Sequence, residues 1–194
     1  PGVYGRAAGS TLPVAAFIAF PTSPAGERNR YEFPYAGAAY GEFLDMLEPG
    51  EAPRIPAKPD RFPRVVYAHG ASAHGIYDVR HAQALASHGY IVAVPFYGDD
   101  RTAEQGEINE HVAFLRPLLT RALIDSLLDS PVFGPRIEAH RIGVSGHSFG
   151  GFTALAVAGA PYKESPDSAR HPAVAAAVIA APWVGGHNDG VETF

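Results

Sequence analysis

The segment 146–151 contains residue types and a spacing that suit nucleophilic catalysis. Its sequence is GHSFGG, which matches the G-x-S-x-G pattern of a nucleophile elbow. In such an elbow a serine lies on a sharp turn with a strained backbone, and side chains two residues before or after it would collide. Gly146 and Gly150 occupy those two positions. The sequence therefore predicts that the hydroxyl group of Ser148 acts as a nucleophile.

A nucleophilic serine also needs donors for the negative charge that develops when it attacks a carbonyl group. An apolar run at 65–68 ends in a His-Gly turn that leads to Ala71, and a small-residue helical pattern starts at Phe149. Backbone N–H groups in such a loop and at a helix N-terminus can form an oxyanion hole, in which each donor contributes about 3–4 kcal/mol. We expect the N–H groups of Ala71 and Phe149 to be these donors. His69 is expected to have a structural role.

The composition of the chain limits the classes of function. With 194 residues, 46% of them hydrophobic and 18% charged, the chain is predicted to form a single domain over 1–194. The net charge of −5 and the scattered basic residues argue against nucleic acid as a partner. The absence of cysteine excludes thiolate nucleophiles and thiolate metal sites. The longest apolar run, 173–184, contains a proline and is too short to span a membrane, and no cellular location is predicted.

Apolar runs that alternate with helical patterns predict an α/β fold. The N-terminal part, 1–63, has a predicted strand at 13–20, followed by an irregular segment over 22–62 with at most a short helix near 40–47. In the core, 64–194, the alternation is typical of a mostly parallel sheet with helices on both faces. The predicted core strands are 65–68, 90–96, 141–145 and 174–181, and the predicted helices are 77–88, 103–129 and 149–159.

The long helix predicted at 103–129 has an apolar stripe that should face the core. The members of this stripe are Ile108, Val112, Leu115, Leu119, Leu123 and Leu127. Thr102 and Gln105 predict a capping box at the start of the helix, and Pro117 predicts a kink. The Ser-Pro dipeptide at 130–131 is expected to end the helix.

These motifs together resemble those of the α/β-hydrolases. The chain is most similar to the predicted dienelactone hydrolase group, which is related to platelet-activating-factor acetylhydrolases and cutinase-like polyester hydrolases, over about 64–183. The segments that carry the resemblance are YAHG at 67–70, the stretch 116–128, and RIGVSGHSFGGFTAL at 141–155. The resemblance implies an α/β-hydrolase fold with Ser148 as the nucleophile and Ala71 and Phe149 as oxyanion donors. It also implies a small-molecule or polymeric ester as substrate and no cofactor.

A serine nucleophile works with an acid and a basic histidine, which in this fold follow it in the order Ser, Asp or Glu, His. The acids available after Ser148 are Glu164, Asp167, Asp189 and Glu192, and the histidines are His171 and His187. The combination of Ser148, Asp167 and His187 is rejected. Asp167 lies between a helix and the next strand, at the edge of the sheet opposite Ser148.

By the same resemblance, further strands should follow the strand that ends near Trp183, and the chain stops before them. The ending of that strand, Pro-Trp, is similar to the cutinase-like branch, whose acid comes one strand later. We therefore expect a fold truncated at its C-terminus, with the acid and the base beyond Phe194 and with Asp189 and His187 as fallbacks. The 194-residue piece alone is expected to hydrolyse esters weakly or not at all.

Two hypotheses of function follow. The first is a serine-dependent hydrolase of carboxylic esters, in which Trp183 either forms a wall of the substrate pocket or fills the core. The alternative is a non-catalytic or truncated α/β-hydrolase-fold module that binds a ligand or partner at the open top of its sheet. Metal binding is not indicated, because His74, His81 and His88 are each seven residues apart and no H-E-x-x-H motif occurs.

Overall fold

The computed structural model describes residues 15–22, 28–33, 38–44, 52–71, 73, 75–97, 110–162 and 169–184. The strands are β1 (Ala15–Ala19), β2 (Arg28–Phe33), β3 (Ala38–Leu44), β4 (Phe62–Ala68), β5 (Ile91–Phe96), β6 (Ile137–His147) and β7 (Val174–Ala180). The α-helices are α1 (Val79–Ser87), α2 (Glu110–Asp129) and α3 (Phe149–Ala158). Short 3-10 helices at Gly75–Asp78 and Gly134–Arg136 precede α1 and β6.

Five of these strands form one sheet, in the order β1-β5-β4-β6-β7. β4 pairs in parallel with β5 and with β6, and β6 pairs in parallel with β7, whereas β1 runs antiparallel to β5. Alternate residues of β5 enter two separate apolar clusters. Ile91 and Ala93 pack with residues of α2 and α3, and Val92 and Val94 pack with residues of α1. Helices therefore cover both faces, and the predicted mostly parallel sheet is confirmed.

A hairpin of β2 and β3 lies in the segment that was expected to be irregular. The two strands pair antiparallel from Arg28 opposite Leu44 to Phe33 opposite Ala38, with an irregularity between Arg30 and Glu32. The prediction of a short helix near 40–47 is therefore wrong. The prolines of this segment lie outside the two strands, so they do not interrupt the pairing, and aromatic residues within the strands favour extended structure.

The buried stripe of α2 lies one position away from the predicted one. Its buried members among the described side chains are Arg116, Pro117, Thr120, Ile124 and Leu127, of which only Leu127 belongs to the predicted stripe. α2 continues through Pro117 as one helix. The predicted start at 103–109 lies outside the described residues, as do Thr102 and Gln105. None of the described helices combines the length and the apolar character needed to cross a membrane.

A charged side chain of β4 enters the apolar core. Arg64 has no exposed surface, and its Nη1 donates a hydrogen bond to the main-chain carbonyl of Ile124 in α2 at 3.1 Å. Burial lowers the pKa of Arg64 to about 10, against the opposing charge of Asp125. Its Nε and Nη2 have no hydrogen-bond partner among the described residues. The desolvation cost of this guanidinium is therefore only partly offset.

We expect Arg64→Met to keep the free energy of unfolding within about 1 kcal/mol of the wild-type value, since an apolar side chain of similar size removes the desolvation cost. The matched variant Arg64→Ala leaves a cavity and should be at least about 2 kcal/mol less stable than Arg64→Met. Urea unfolding of the full-length proteins measures both values. A loss of about 3 kcal/mol or more in Arg64→Met would contradict this account of the buried charge.

Candidate active site

Ser148 lies on a strained turn between the end of β6 and the start of α3. Its backbone has φ 56° and ψ −119°, a conformation that a residue with a side chain rarely adopts. Main-chain hydrogen bonds hold the turn. The N–H of Ser148 donates to the carbonyl of Ala180 at 3.0 Å, and the carbonyl of Ser148 accepts from the N–H groups of Phe152 at 3.2 Å and Trp183 at 2.8 Å. The serine is thereby tied to α3 and to the end of β7.

The glycines on either side of Ser148 allow a close approach of main chains. A Cβ atom on Gly150 would lie 2.7 Å from the carbonyl oxygen of His69 and closer still to the carbonyl of Ala68. A Cβ atom on Gly146 would lie 2.9 Å from the oxygen of Ala68 and would overlap the carbonyl of Gly150. The collision expected from the sequence pattern is therefore present at both positions, and main-chain atoms are the obstacle.

The loop that follows β4 lies directly beside the serine. A Cβ atom on Gly70 would be 3.7 Å from the Cβ of Ser148. The next residue, Ala71, packs against an apolar cluster that contains Phe149. The structure thus brings together Ser148, the predicted nucleophile, and Ala71 and Phe149, the predicted oxyanion donors.

Arg116 of α2 was not selected from the sequence, and it holds this loop. The side chain has no exposed surface, and its Nη1 and Nη2 donate to the carbonyl oxygens of His69 at 2.7 Å and Gly70 at 3.4 Å. Its Cζ lies 4.5 Å from the ring centroid of Tyr97 and 4.7 Å from that of Phe149. The sequence signal that could have indicated Arg116 is its position in the segment 116–128, one of the segments that carry the family resemblance.

His69 has the structural surroundings expected for it. The side chain is buried, and its ring centroid lies 5.1 Å from that of Tyr97. Its Nδ1 lies 2.9 Å from the carbonyl oxygen of Gly70. Because a carbonyl oxygen can only accept, this contact assigns the proton to Nδ1. His69 therefore supports the loop that Arg116 also holds.

Trp183 lies just beyond the end of β7, the strand that pairs with β6. Its ring makes edge contacts with Phe149 at 5.4 Å and Phe152 at 5.8 Å between centroids. The residue is 37% exposed. Since its N–H is bonded to the carbonyl of Ser148, this partly exposed ring lies close to the serine turn.

His171, one of the two histidines that follow Ser148, has a different position. Its side chain is buried, its Nδ1 accepts from the N–H of Ala173 at 3.1 Å, and its Nε2 donates to Asp125 at 3.0 Å. β7 begins just after it, where Val174 pairs with Ile142. Six residues of strand separate that pair from Ser148, a distance of about 20 Å. His171 is therefore not a base for Ser148.

Asp167, His187 and Asp189 lie outside the described residues.

A half-buried carboxyl group lies near the residue that precedes Ser148. Burial raises the pKa of Asp78, against the opposing effects of a hydrogen bond from Tyr67 and the charges of His81 and His147. Burial also raises the pKa of Tyr67, and the charge of Asp78 and their shared hydrogen bond add to that shift.

Comparison with known proteins identifies the family. A family model described as Chlorophyllase matches residues 53–192, which is more than half of the chain. The chain belongs to the chlorophyllase family. No curated protein matches it.

Solved esterase structures are similar to this chlorophyllase-family chain. Esterase 2 of Thermogutta terrifontis with propionate bound has a TM-score of 0.54 at 14% identity, over 92% of this chain and 53% of that one. The same enzyme phosphorylated by paraoxon has a TM-score of 0.52 at 15% identity, over 94% and 58%. A ferulic acid esterase from Streptomyces cinnamoneus is 29% identical over 53% of this chain and 34% of that one, with a TM-score of 0.45.

These comparisons confirm the predicted α/β-hydrolase fold and superfamily. The chlorophyllase-family chain spans about half the length of the Thermogutta esterase chains and about a third of the ferulic acid esterase. The finer resemblance to the dienelactone hydrolase group stays a prediction.

The close approach at the serine turn generates a stability prediction. Gly146→Ala should lower the free energy of unfolding by at least about 2 kcal/mol, because the new methyl group meets main-chain atoms that cannot rotate away. Gly143→Ala is the matched control on the same strand, since its Cβ atom would lie no closer than 3.7 Å to the neighbouring strands, and its stability should change by less than about 1 kcal/mol. Urea unfolding of the full-length proteins tests the pair, and equal stability of the two variants would contradict the steric account.

Proposed function

We propose that this protein is a serine hydrolase that cleaves carboxylic esters through an acyl-enzyme on Ser148, without a cofactor. The observation that carries the proposal is the position of Ser148, at φ 56° on a turn between β6 and α3, with the loop 69–71 beside it. Membership of the chlorophyllase family and the fold shared with esterases support an ester as the substrate. Fold alone does not identify the ester.

The proposed reaction has two steps. The Oγ of Ser148 attacks the ester carbonyl carbon and gives its proton to a general base, and the base then protonates the departing alcohol. In the second step the base takes a proton from water, which attacks the acyl carbon, and the base then returns the proton to the Oγ of Ser148 as the acid is released. The N–H groups of Ala71 and Phe149 are proposed to bind the oxyanion in both steps. We place the base and its acid outside the described residues, where His187 and Asp189 are the candidates within the sequence.

The aromatic side chains beside the serine favour an apolar acyl group. Phe149, Phe152 and Trp183 pack on one another through ring contacts, and Trp183 keeps a partly exposed ring. We propose that Trp183 forms a wall of the acyl pocket. Structures of the Thermogutta esterase 2 hold propionate and butyrate, which makes short-chain esters suitable first probes.

Ser148→Ala tests the nucleophile. The full-length protein should react with a fluorophosphonate probe at Ser148, and the variant should lose this label and at least about a thousandfold of the kcat for p-nitrophenyl butyrate. Ser145→Ala, which removes a hydroxyl three residues earlier on β6, is the matched control and should keep both. Peptide mapping of the adduct and steady-state kinetics give the two readouts.

A folded full-length protein that takes no label and hydrolyses no ester would overturn the proposal. That outcome would favour the alternative, a non-catalytic module of the same fold that binds a ligand at the open top of its sheet.

Trp183→Ala tests the acyl wall. Each buried methylene contributes about 0.8 kcal/mol, or about fourfold in kcat/KM, so an acyl wall should favour butyrate over acetate. The variant should reduce the butyrate-to-acetate ratio of kcat/KM by about 4- to 15-fold, whereas Trp183→Phe should keep most of it. An unchanged ratio in Trp183→Ala would show that the ring does not contact the acyl chain.

A further inference from the structure

We infer that Arg116 is the positioning residue of the oxyanion hole, because its guanidinium contacts both segments that carry the proposed donors. The inference rests on the proposed function. One segment is the loop 69–71, to which Arg116 donates its hydrogen bonds, and the other is the start of α3, where it lies on the ring of Phe149. Arg116 itself is not proposed to touch the substrate.

The geometry of one peptide group links Arg116 to the donor of Ala71. The carbonyl of Gly70 and the N–H of Ala71 belong to the same planar trans peptide, so they point in opposite directions. Arg116 Nη2 and His69 Nδ1 both lie within hydrogen-bond distance of the Gly70 oxygen, at 3.4 and 2.9 Å. These two contacts hold the carbonyl oxygen of this peptide. The N–H of Ala71 is consequently directed away from the guanidinium, to the opposite side of the loop.

The stronger bond holds the preceding carbonyl. Arg116 Nη1 lies 2.7 Å from the oxygen of His69, a distance typical of a charge-assisted hydrogen bond. The carbonyl groups of His69 and Gly70 therefore accept from one guanidinium group. Because this group is planar and its two nitrogens form a fork, it restricts both peptide groups at once. A lysine ammonium at this position is a point charge and does not reproduce the fork.

The guanidinium also contacts two aromatic rings. It lies between the rings of Tyr97 and Phe149, with its Cζ 4.5 and 4.7 Å from the two centroids. The hydroxyl of Tyr97 is 2.8 Å from Thr120 Oγ1, which in turn donates to the main-chain carbonyl of Arg116 at 2.8 Å. These hydrogen bonds tie Tyr97, one of the two rings, to α2. The same arginine thus sets the distance between the loop and the first residue of α3.

Arg64 provides a matched comparison. It is also fully buried and also donates to a main-chain carbonyl, but its partner is Ile124 within α2. That carbonyl belongs to a regular helix, whose conformation does not depend on the arginine. The two residues therefore separate the effect of removing a buried arginine from the effect of releasing the oxyanion loop.

The test uses the full-length protein with Arg116→Met, Arg116→Lys and Arg64→Met. For p-nitrophenyl butyrate we expect Arg116→Met to lower kcat about a hundredfold with KM within about threefold, because a displaced oxyanion donor acts on the transition state. Labelling of Ser148 by the fluorophosphonate should slow in parallel. Arg116→Lys should lower kcat at least about tenfold. Arg64→Met should keep kcat within about twofold. Each rate is normalised to the folded fraction, measured by circular dichroism.

The outcomes separate this inference from the proposed function. If the wild-type protein labels at Ser148 and Arg116→Met keeps kcat within twofold, the inference is wrong and the proposed function stands. If Arg116→Met does not fold, Arg116→Lys decides, and a kcat within twofold of wild type overturns the inference. A parallel loss of kcat in Arg116→Met and Arg64→Met would also overturn it, because the role would then be structural. Absence of any label in the wild-type protein would overturn the proposed function first.

Discussion

The rest of the site depends on the close approach of two main-chain segments, the end of β4 and the first turn of α3. Gly150 lies so near the carbonyls of Ala68 and His69 that no side chain fits between them. This contact places the loop after β4 beside Ser148. The strain at φ 56° is maintained because β6, β7 and α3 each hold the turn through main-chain hydrogen bonds or chain connection. The mostly parallel sheet thus carries the hydroxyl group of Ser148 at the carboxyl end of β6.

A buried charge extends this constraint to the neighbouring loop. An arginine inside a core is costly unless its donors are used, and Arg116 places its donors on carbonyls that belong to no strand or helix. Arg64 has equal burial and a partner inside a regular helix. The same residue type therefore has two consequences in one core. The carbonyl that Arg64 binds is held by its own helix, whereas the carbonyls that Arg116 binds belong to a loop.

Local steric rules explain what could be predicted from the sequence. Gly146 and Gly150 predicted a tight turn. A side chain at either position would collide with main-chain atoms that lie a few residues away in the chain or at the end of the neighbouring parallel strand. The predicted stripe of α2 was wrong by one position. A hydrophobic pattern places arginine on the solvent side of a helix, whereas Arg116 is buried and uses its donors in hydrogen bonds. The pairing of His171 with Asp125 joins residues 46 positions apart, and no periodicity indicates such a contact. The hairpin of β2 and β3 was not predicted, because the prolines of the segment 22–62 indicated irregular structure and the strand pattern there was weak.

Ser148 is proposed to carry the acyl group, and trapping the acyl-enzyme during turnover tests this role. The full-length protein would be mixed with an excess of p-nitrophenyl butyrate, quenched in acid during turnover and mapped by mass spectrometry. We expect a butyryl group on the Oγ of Ser148 and on no other residue. Ester hydrolysis with a butyryl group found elsewhere in the chain would contradict it.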